Sequence, residues 1–87
     1  MTRIEYDRDF TKQAMRLDVR LRKKLMLLTA LMAHNPYDPR LHTKPLSEPF
    51  GGILSFRITR DWRVTFHFID AKTVRLLEIR HRSDIYR

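Results

Sequence analysis

Two arginines, Arg57 and Arg63, occur in a segment in which apolar and polar side chains alternate. Apolar residues at every second position are typical of a β-strand with one buried face. Residues 59–61 interrupt the alternation and can form a turn, so the segment predicts an antiparallel hairpin with both arginines on its polar face. Because a guanidinium group binds phosphate oxygens through two parallel hydrogen bonds, the pair could hold one phosphate or two neighbouring phosphates. The alternative is that both arginines are ordinary solvated surface residues.

Histidine is the other residue type with useful chemistry here, since it is the commonest general acid or base near neutral pH. The chain contains four histidines: His34, His42, His67 and His81. Their separations of 8, 25 and 14 residues match no metal-ligand motif, and the chain has no cysteine, so we predict no metal site. His81 is the best candidate for acid–base catalysis, because it follows a predicted strand and lies between Arg80 and Arg82.

The composition is that of a small, strongly basic protein. Its 87 residues are 43% hydrophobic and 32% charged, which is typical of a globular chain rather than a disordered one. Eighteen Lys and Arg against ten Asp and Glu give a net charge of +8, which favours polyanions or an acidic protein as partners. The only two glycines are adjacent, which excludes a P-loop and a dinucleotide-binding motif. The charged N-terminus and the short apolar runs indicate a cytoplasmic protein with no signal peptide and no membrane partner.

The N-terminal part of the chain predicts one strand and two helices. Residues 3–6 alternate and form the short strand. Either Asp7 or Asp9 caps a first helix, and Asp18 caps a second helix that ends near residues 35–36, where a proline disfavours helical backbone. Apolar residues recur at helical spacing in both segments: Phe10, Ala14 and Leu17, then Leu21, Leu25, Leu28 and Met32. The two segments therefore predict a helical hairpin with one apolar side.

The C-terminal half predicts a sheet for this hairpin to cover. Residues 36–52 contain all four prolines and both glycines, and we interpret them as a long loop. The arginine-bearing hairpin follows, and residues 73–79 form a third strand with weaker alternation. The expected architecture is a two-layer α+β domain spanning residues 1–87, in which the N-terminal strand and helical hairpin pack on a small antiparallel meander.

Three stretches in this order resemble a known family. They are residues 42–46 (HTKPL), 55–64 (SFRITRDWRV) and 78–86 (EIRHRSDIY). Together with the length and the charge of the chain, they resemble the RelE/ParE superfamily of bacterial type II toxins. The resemblance covers nearly the whole chain and is greatest to the mRNA interferase branch that contains RelE and YoeB.

The resemblance implies a fold, a reaction and partners. The fold is that of the RelE-like microbial ribonucleases. Such toxins enter the ribosomal A site and cut mRNA, with the 2′-hydroxyl attacking the adjacent phosphate to leave a 2′,3′-cyclic phosphate. The reaction needs no metal and no other cofactor. The implied partners are the ribosome with its mRNA, and a cognate antitoxin with an acidic, partly disordered segment.

The resemblance also assigns roles to five residues. Arg63 stabilises the charge that develops on the phosphate during transfer, and Arg57 binds the phosphate. His81 is the general acid for the 5′-oxygen, and Tyr86 stacks on or orients a base. Lys44 stands where YoeB-like toxins place a glutamate base, so it either acts as a base with a depressed pKa or only binds phosphate.

Three further residues complete the expected RNA site, and two other functions remain open. His42 lies beside Lys44 in the loop, and Arg80 and Arg82 flank His81, where they add positive charge. The alternatives are a ParE-like toxin that inhibits DNA gyrase and a catalytically inactive relative that only binds. Presence of His81 and Tyr86 favours the nuclease, because ParE-type members usually lack both.

Overall fold

The computed structural model describes residues 1–46 and 51–85. The elements in chain order are β1 (Arg3–Tyr6), α1 (Arg8–Arg16), α2 (Val19–His34), a short 3-10 turn (Pro39–Leu41), β2 (Lys44–Pro45), β3 (Leu54–Arg57), β4 (Trp62–Asp70), β5 (Thr73–His81) and α3 (Arg82–Ile85). The structure thus confirms the predicted α+β class and the order of a strand, two helices and a sheet.

One five-stranded sheet has the order β1-β5-β4-β3-β2. Strands β3, β4 and β5 form the predicted antiparallel meander, and β1 joins it in parallel beside β5. The prediction of a continuous loop over residues 36–52 was wrong at β2, where Lys44 pairs with Ser55 to add an edge strand. An edge position tolerates Pro45, which cannot donate to a ladder. The third predicted strand also continues past residue 79 and ends at His81.

Aspartate caps start both long helices, as the sequence predicts. A carboxylate oxygen of Asp7 accepts a hydrogen bond from the Asp9 backbone N–H at 2.9 Å, so Asp7 is the first cap. Asp18 accepts from the Leu21 N–H at 2.9 Å. Helix α2 ends at His34, immediately before the predicted end at residues 35–36. Each cap thereby satisfies one of the free N–H groups of its helix's first turn, where the chain leaves extended backbone.

The helices cover one face of the sheet and form a single apolar core with it. Its buried members come from both helices, the 3-10 turn, strands β3 to β5 and the residues that directly follow α1 and β3: Phe10, Leu17, Leu25, Leu28, Met32, Leu41, Phe56, Ile58, Val64, Phe66, Val74, Leu76 and Ile79. The other face of the sheet is therefore the one available for function. Within the described part of the chain, no helix has the length and apolar character needed to cross a membrane.

A bulge in β5 sets which of its side chains reach that open face. Thr65 of β4 pairs with Glu78, whereas the next residue, Phe66, pairs with Leu76, so Leu77 is an extra residue in β5. Core residues therefore fall at Leu76 and then at Ile79. Because neighbouring residues alternate between the two faces, Glu78 is turned to the open face.

Candidate phosphate-binding groove

Three arginines form one row across the open face of the sheet. Arg57 of β3 pairs with Arg63 of β4, and Arg63 pairs with Arg80 of β5. Directly opposed residues of adjacent antiparallel strands have Cβ atoms about 4.5–5.5 Å apart, so the three guanidinium groups can converge on one phosphate. The predicted placement of Arg57 and Arg63 on adjacent strands and one face is confirmed. We call these three residues the arginine row.

Burial differs along the arginine row. Arg63 is only 6% exposed, Arg57 is half-buried and Arg80 is exposed. The buried Nε of Arg57 has no hydrogen-bond partner among the described residues. A buried guanidinium N–H without a partner is costly, and an anion seated on the row would satisfy it. This burial argues against the alternative that both predicted arginines are ordinary solvated surface residues.

A second row of side chains lies next to the arginine row on the same face. Its register runs Lys44, Ser55, Thr65 and Glu78 across strands β2, β3, β4 and β5. Lys44 is exposed on the edge strand, whereas Ser55 is fully buried. A carboxylate oxygen of Glu78 lies 2.6 Å from a terminal nitrogen of Arg80, which ties the two rows together.

Arg80 of the arginine row, together with Thr65 and Glu78 of the second row, lines a groove of about 360 Å³. The residues that line it are Leu46, Ile53, Thr65, Leu77, Glu78, Arg80 and Asp84. The Leu46 N–H donates to the Ile53 carbonyl oxygen at 2.9 Å, which closes one wall beside β2 and β3. Helix α3 supplies the opposite wall through Asp84, and the Arg82 N–H fixes its start by donating to the Asp61 carbonyl oxygen at 2.7 Å.

His81 is not part of the arginine row. Its register partner is Trp62, and the two rings meet edge to face with centroids 5.2 Å apart and an interplanar angle of 88°. Alternation along β5 therefore places the His81 Cα position on the face opposite to Arg80. Its Nδ1 lies 3.0 Å from the hydroxyl oxygen of Ser83, so any proton delivery to substrate would have to use Nε2. His81 lies at the end of β5, where α3 begins.

Of the predicted site residues that the structure describes, Arg80 lines the groove, whereas Arg57, Arg63, Lys44, His42 and Arg82 do not. His42 is exposed, has a left-handed backbone with φ 53°, and ends the 3-10 turn two residues before Lys44. Arg82 is exposed at the first position of α3. Tyr86 lies outside the described residues, so its predicted role stays a prediction. In the described ranges, no group of three or more His, Asp or Glu could hold a metal ion.

Sequence reasoning missed the carboxylates of the groove. Glu78 and Asp84 both line it, and neither lies on the arginine-bearing hairpin to which the sequence reasoning was directed. A usable signal for Glu78 was its spacing of two residues from Arg80, which puts both side chains on one face of a strand. Asp84 had no such signal, because α3 is a single turn whose direction depends on tertiary contacts.

Comparison with solved structures identifies the fold. The YoeB/ParE toxin from Agrobacterium tumefaciens matches with a TM-score of 0.78 and 17% identity over 93% of this chain and 99% of that chain. YafQ from E. coli strain BL21(DE3) matches over 100% of both chains, with a TM-score of 0.73 and 21% identity. The archaeal RelE–RelB complex from Pyrococcus horikoshii OT3 contains a chain that matches with a TM-score of 0.77 and 15% identity, over 93% of this chain and 94% of that one. No protein-family model and no curated protein matches the sequence. The chain therefore has the RelE/YoeB-like toxin fold, as the three sequence stretches indicated.

Proposed function

We propose that this protein is the toxin of a type II toxin–antitoxin system, and that it cleaves mRNA on the ribosome without a metal ion. The arginine row carries the proposal, since it sets the half-buried Arg57 and the buried Arg63 in register with Arg80, which lines the groove. Guanidinium groups fixed in this way stabilise the charge that develops on a phosphate during transfer. The fold shared with YoeB, YafQ and RelE toxins supports the same function.

In the proposed reaction the 2′-hydroxyl of one nucleotide attacks the phosphate that follows it. A bond forms between the 2′-oxygen and phosphorus, and the bond between phosphorus and the 5′-oxygen breaks. Arg63 stabilises the charge on the phosphate, with Arg57 and Arg80 on either side of it. The resemblance assigns proton donation to the 5′-oxygen to His81, which would act through Nε2 from the end of β5, beside the arginine row rather than within it.

Other residues bind the RNA on either side of the scissile phosphate. Lys44 extends the positive surface across the edge strand, and His42 precedes it. Arg82 adds a cation where α3 begins. Tyr86 stacks on or orients a base, as the resemblance implies. These groups contact backbone phosphates and single-stranded bases, which are what proteins recognise in unpaired RNA.

The proposed partners follow from the same charge distribution. The net charge of +8 favours an acidic antitoxin segment that folds on binding. One structural neighbour is a chain of a complex named RelE–RelB, and that pairing supports a protein partner for this chain. The site of action is the cytoplasm, where ribosomes and mRNA are found.

A translation reaction programmed with a defined mRNA tests the proposal. Primer extension should show new 3′ ends at A-site codons with the natural protein, and a loss of about 10²–10³-fold with Arg63→Ala. Arg60→Ala, in the exposed turn between β3 and β4, is the matched control and should cleave normally. A thermal melt of each variant is needed because Arg63 is only 6% exposed. Growth arrest in cells without any new mRNA ends would instead support the ParE-like function.

A further inference from the structure

We infer that Glu78 is the general base that takes the proton from the attacking 2′-hydroxyl. This inference rests on the proposed nuclease function and deepens it. A base is required at the site because a neutral hydroxyl is a weak nucleophile. The residue expected from the resemblance, Lys44, is a lysine in place of a glutamate.

The position of Glu78 is what a base at this site needs. It lies on β5, which pairs with β4 at Glu78 and is held on its other side by the hydrogen bond from the Ile79 N–H to Gln13. Its carboxylate lines the groove and lies 2.6 Å from Arg80 of the arginine row. A phosphate held by the row would therefore bring the preceding ribose, which carries the attacking 2′-hydroxyl, close to this carboxylate. The Glu78 side chain is 36% exposed, so RNA can reach it.

The other candidates are less well placed. Lys44 lies on the two-residue edge strand, separated from β5 by β3 and β4, and a protonated amine has no lone pair to accept a proton. Asp84 lies on the four-residue helix α3 rather than in the sheet. Glu78 and Arg80 lie on the same strand, so one element fixes the positions of both the base and a phosphate-binding residue.

The proton balance of the step is complete with these groups. The 2′-hydroxyl proton passes to the Glu78 carboxylate as the bond between the 2′-oxygen and phosphorus forms. The bond between phosphorus and the 5′-oxygen breaks, and the 5′-oxygen receives a proton from His81. Glu78 then returns its proton to solvent and His81 takes one up. The products are a 2′,3′-cyclic phosphate and a 5′-hydroxyl.

Several charged groups face Glu78 and would shape its pH response. Arg80 is on the same strand, Arg63 is on β4 and Asp84 is on α3. Lys44 is in the same cross-strand row, on β2. The hydroxyl of Thr65, the register partner of Glu78, donates a hydrogen bond to the Glu78 backbone carbonyl oxygen at 3.4 Å. This hydrogen bond does not involve the Glu78 carboxylate, which lines the groove.

The test compares Glu78→Gln with the natural protein in single-turnover cleavage on programmed ribosomes and in binding to a non-cleavable mRNA. We expect Glu78→Gln to slow cleavage about 10²-fold or more. We expect its RNA affinity to stay equal or rise, because the substitution removes a negative charge from the groove. Glu5→Gln is the control, since Glu5 pairs with Arg75 at 3.3 Å outside the groove and should leave both readouts unchanged.

The outcomes separate a base from a residue that only positions Arg80. Slow cleavage with undiminished binding, and loss of the acidic limb of the pH–rate profile in Glu78→Gln, would support the base. A parallel loss of binding and cleavage, with the pH profile unchanged, would overturn it in favour of positioning. Cleavage by Glu78→Gln at the rate of the natural protein would overturn the inference and leave the nuclease function intact. No cleavage by the natural protein would remove both.

Discussion

Gln13 is expected to control the stability of the strand that carries half of the site. Strand β1 pairs with β5 only as far as Leu76, and beyond that point the amide Oε1 of Gln13 in α1 accepts a hydrogen bond from the Ile79 N–H at 2.6 Å. Ile79 is 5% exposed, so water does not readily replace this acceptor. Gln13 thus supplies the hydrogen-bond acceptor that a neighbouring strand would otherwise provide for the Ile79 N–H.

Replacement of Gln13 by alanine leaves that buried N–H unsatisfied. The cost of such a group is about 1–3 kcal/mol. For a domain of this size, 1 kcal/mol lowers the melting temperature by about 4–8 °C, so we expect a drop of about 4–24 °C. Gln13→Glu retains an acceptor oxygen and should lose less. Lys12→Ala, at an exposed neighbouring position of the same helix, should change stability by no more than about 0.5 kcal/mol.

The assay combines thermal or urea unfolding with amide hydrogen exchange. In Gln13→Ala the Ile79 amide should exchange faster, because its hydrogen bond to the helix is gone. Cleavage should also fall at temperatures near the new midpoint, since Glu78 and Arg80 flank Ile79 on the same strand. Equal melting temperatures for Gln13→Ala and Lys12→Ala would refute this account of how β5 is held.

Three further predictions concern RNA binding, pH and helix capping. Arg57→Gln should reduce the slope of log affinity against log salt for single-stranded RNA by about 0.7, the contribution of one neutralised phosphate; an unchanged slope would mean that Arg57 contacts no phosphate. Hydrogen bonds from Arg40 lower the pKa of Asp38 from 3.8 to about 2, so its stabilising effect is present above pH 4 and is lost as the pH falls towards 2. Urea unfolding at pH 5 and pH 3 should therefore show a smaller acid-induced loss in Asp38→Asn, and equal losses would contradict the assignment. Asp18→Ala should destabilise the protein by about 0.5–2 kcal/mol through loss of the α2 cap, measured against Asp9→Ala, which removes no capping side chain.

The sequence predicts well what depends on local pattern. Alternation of apolar and polar residues predicted that Arg57 and Arg63 lie on one face of adjacent strands. The residue type of Asp18 and the apolar spacing after it predicted the start of α2. Both features follow from neighbouring residues. Pairings between distant segments were not predictable in this way. Strand β1 offers only four alternating residues, which do not indicate a parallel partner, and β2 is a two-residue strand within a proline-rich loop.

The weak alternation of the third predicted strand contains information about the site that becomes clear only with the structure. Strict alternation from Val74 and Leu76 would direct Glu78 and Arg80 into the core. Burial of both charged side chains there would cost a large desolvation free energy. The extra residue, Leu77, reverses the phase, so that Ile79 fills the core and the two charged side chains reach the groove. In the register of the Phe66–Leu76 pair His81 would lie opposite Asp61, whereas the extra residue places it opposite Trp62. A bulge is therefore what the charges of β5 require, and it decides that Arg80, rather than Ile79, lies opposite Arg63 and completes the arginine row.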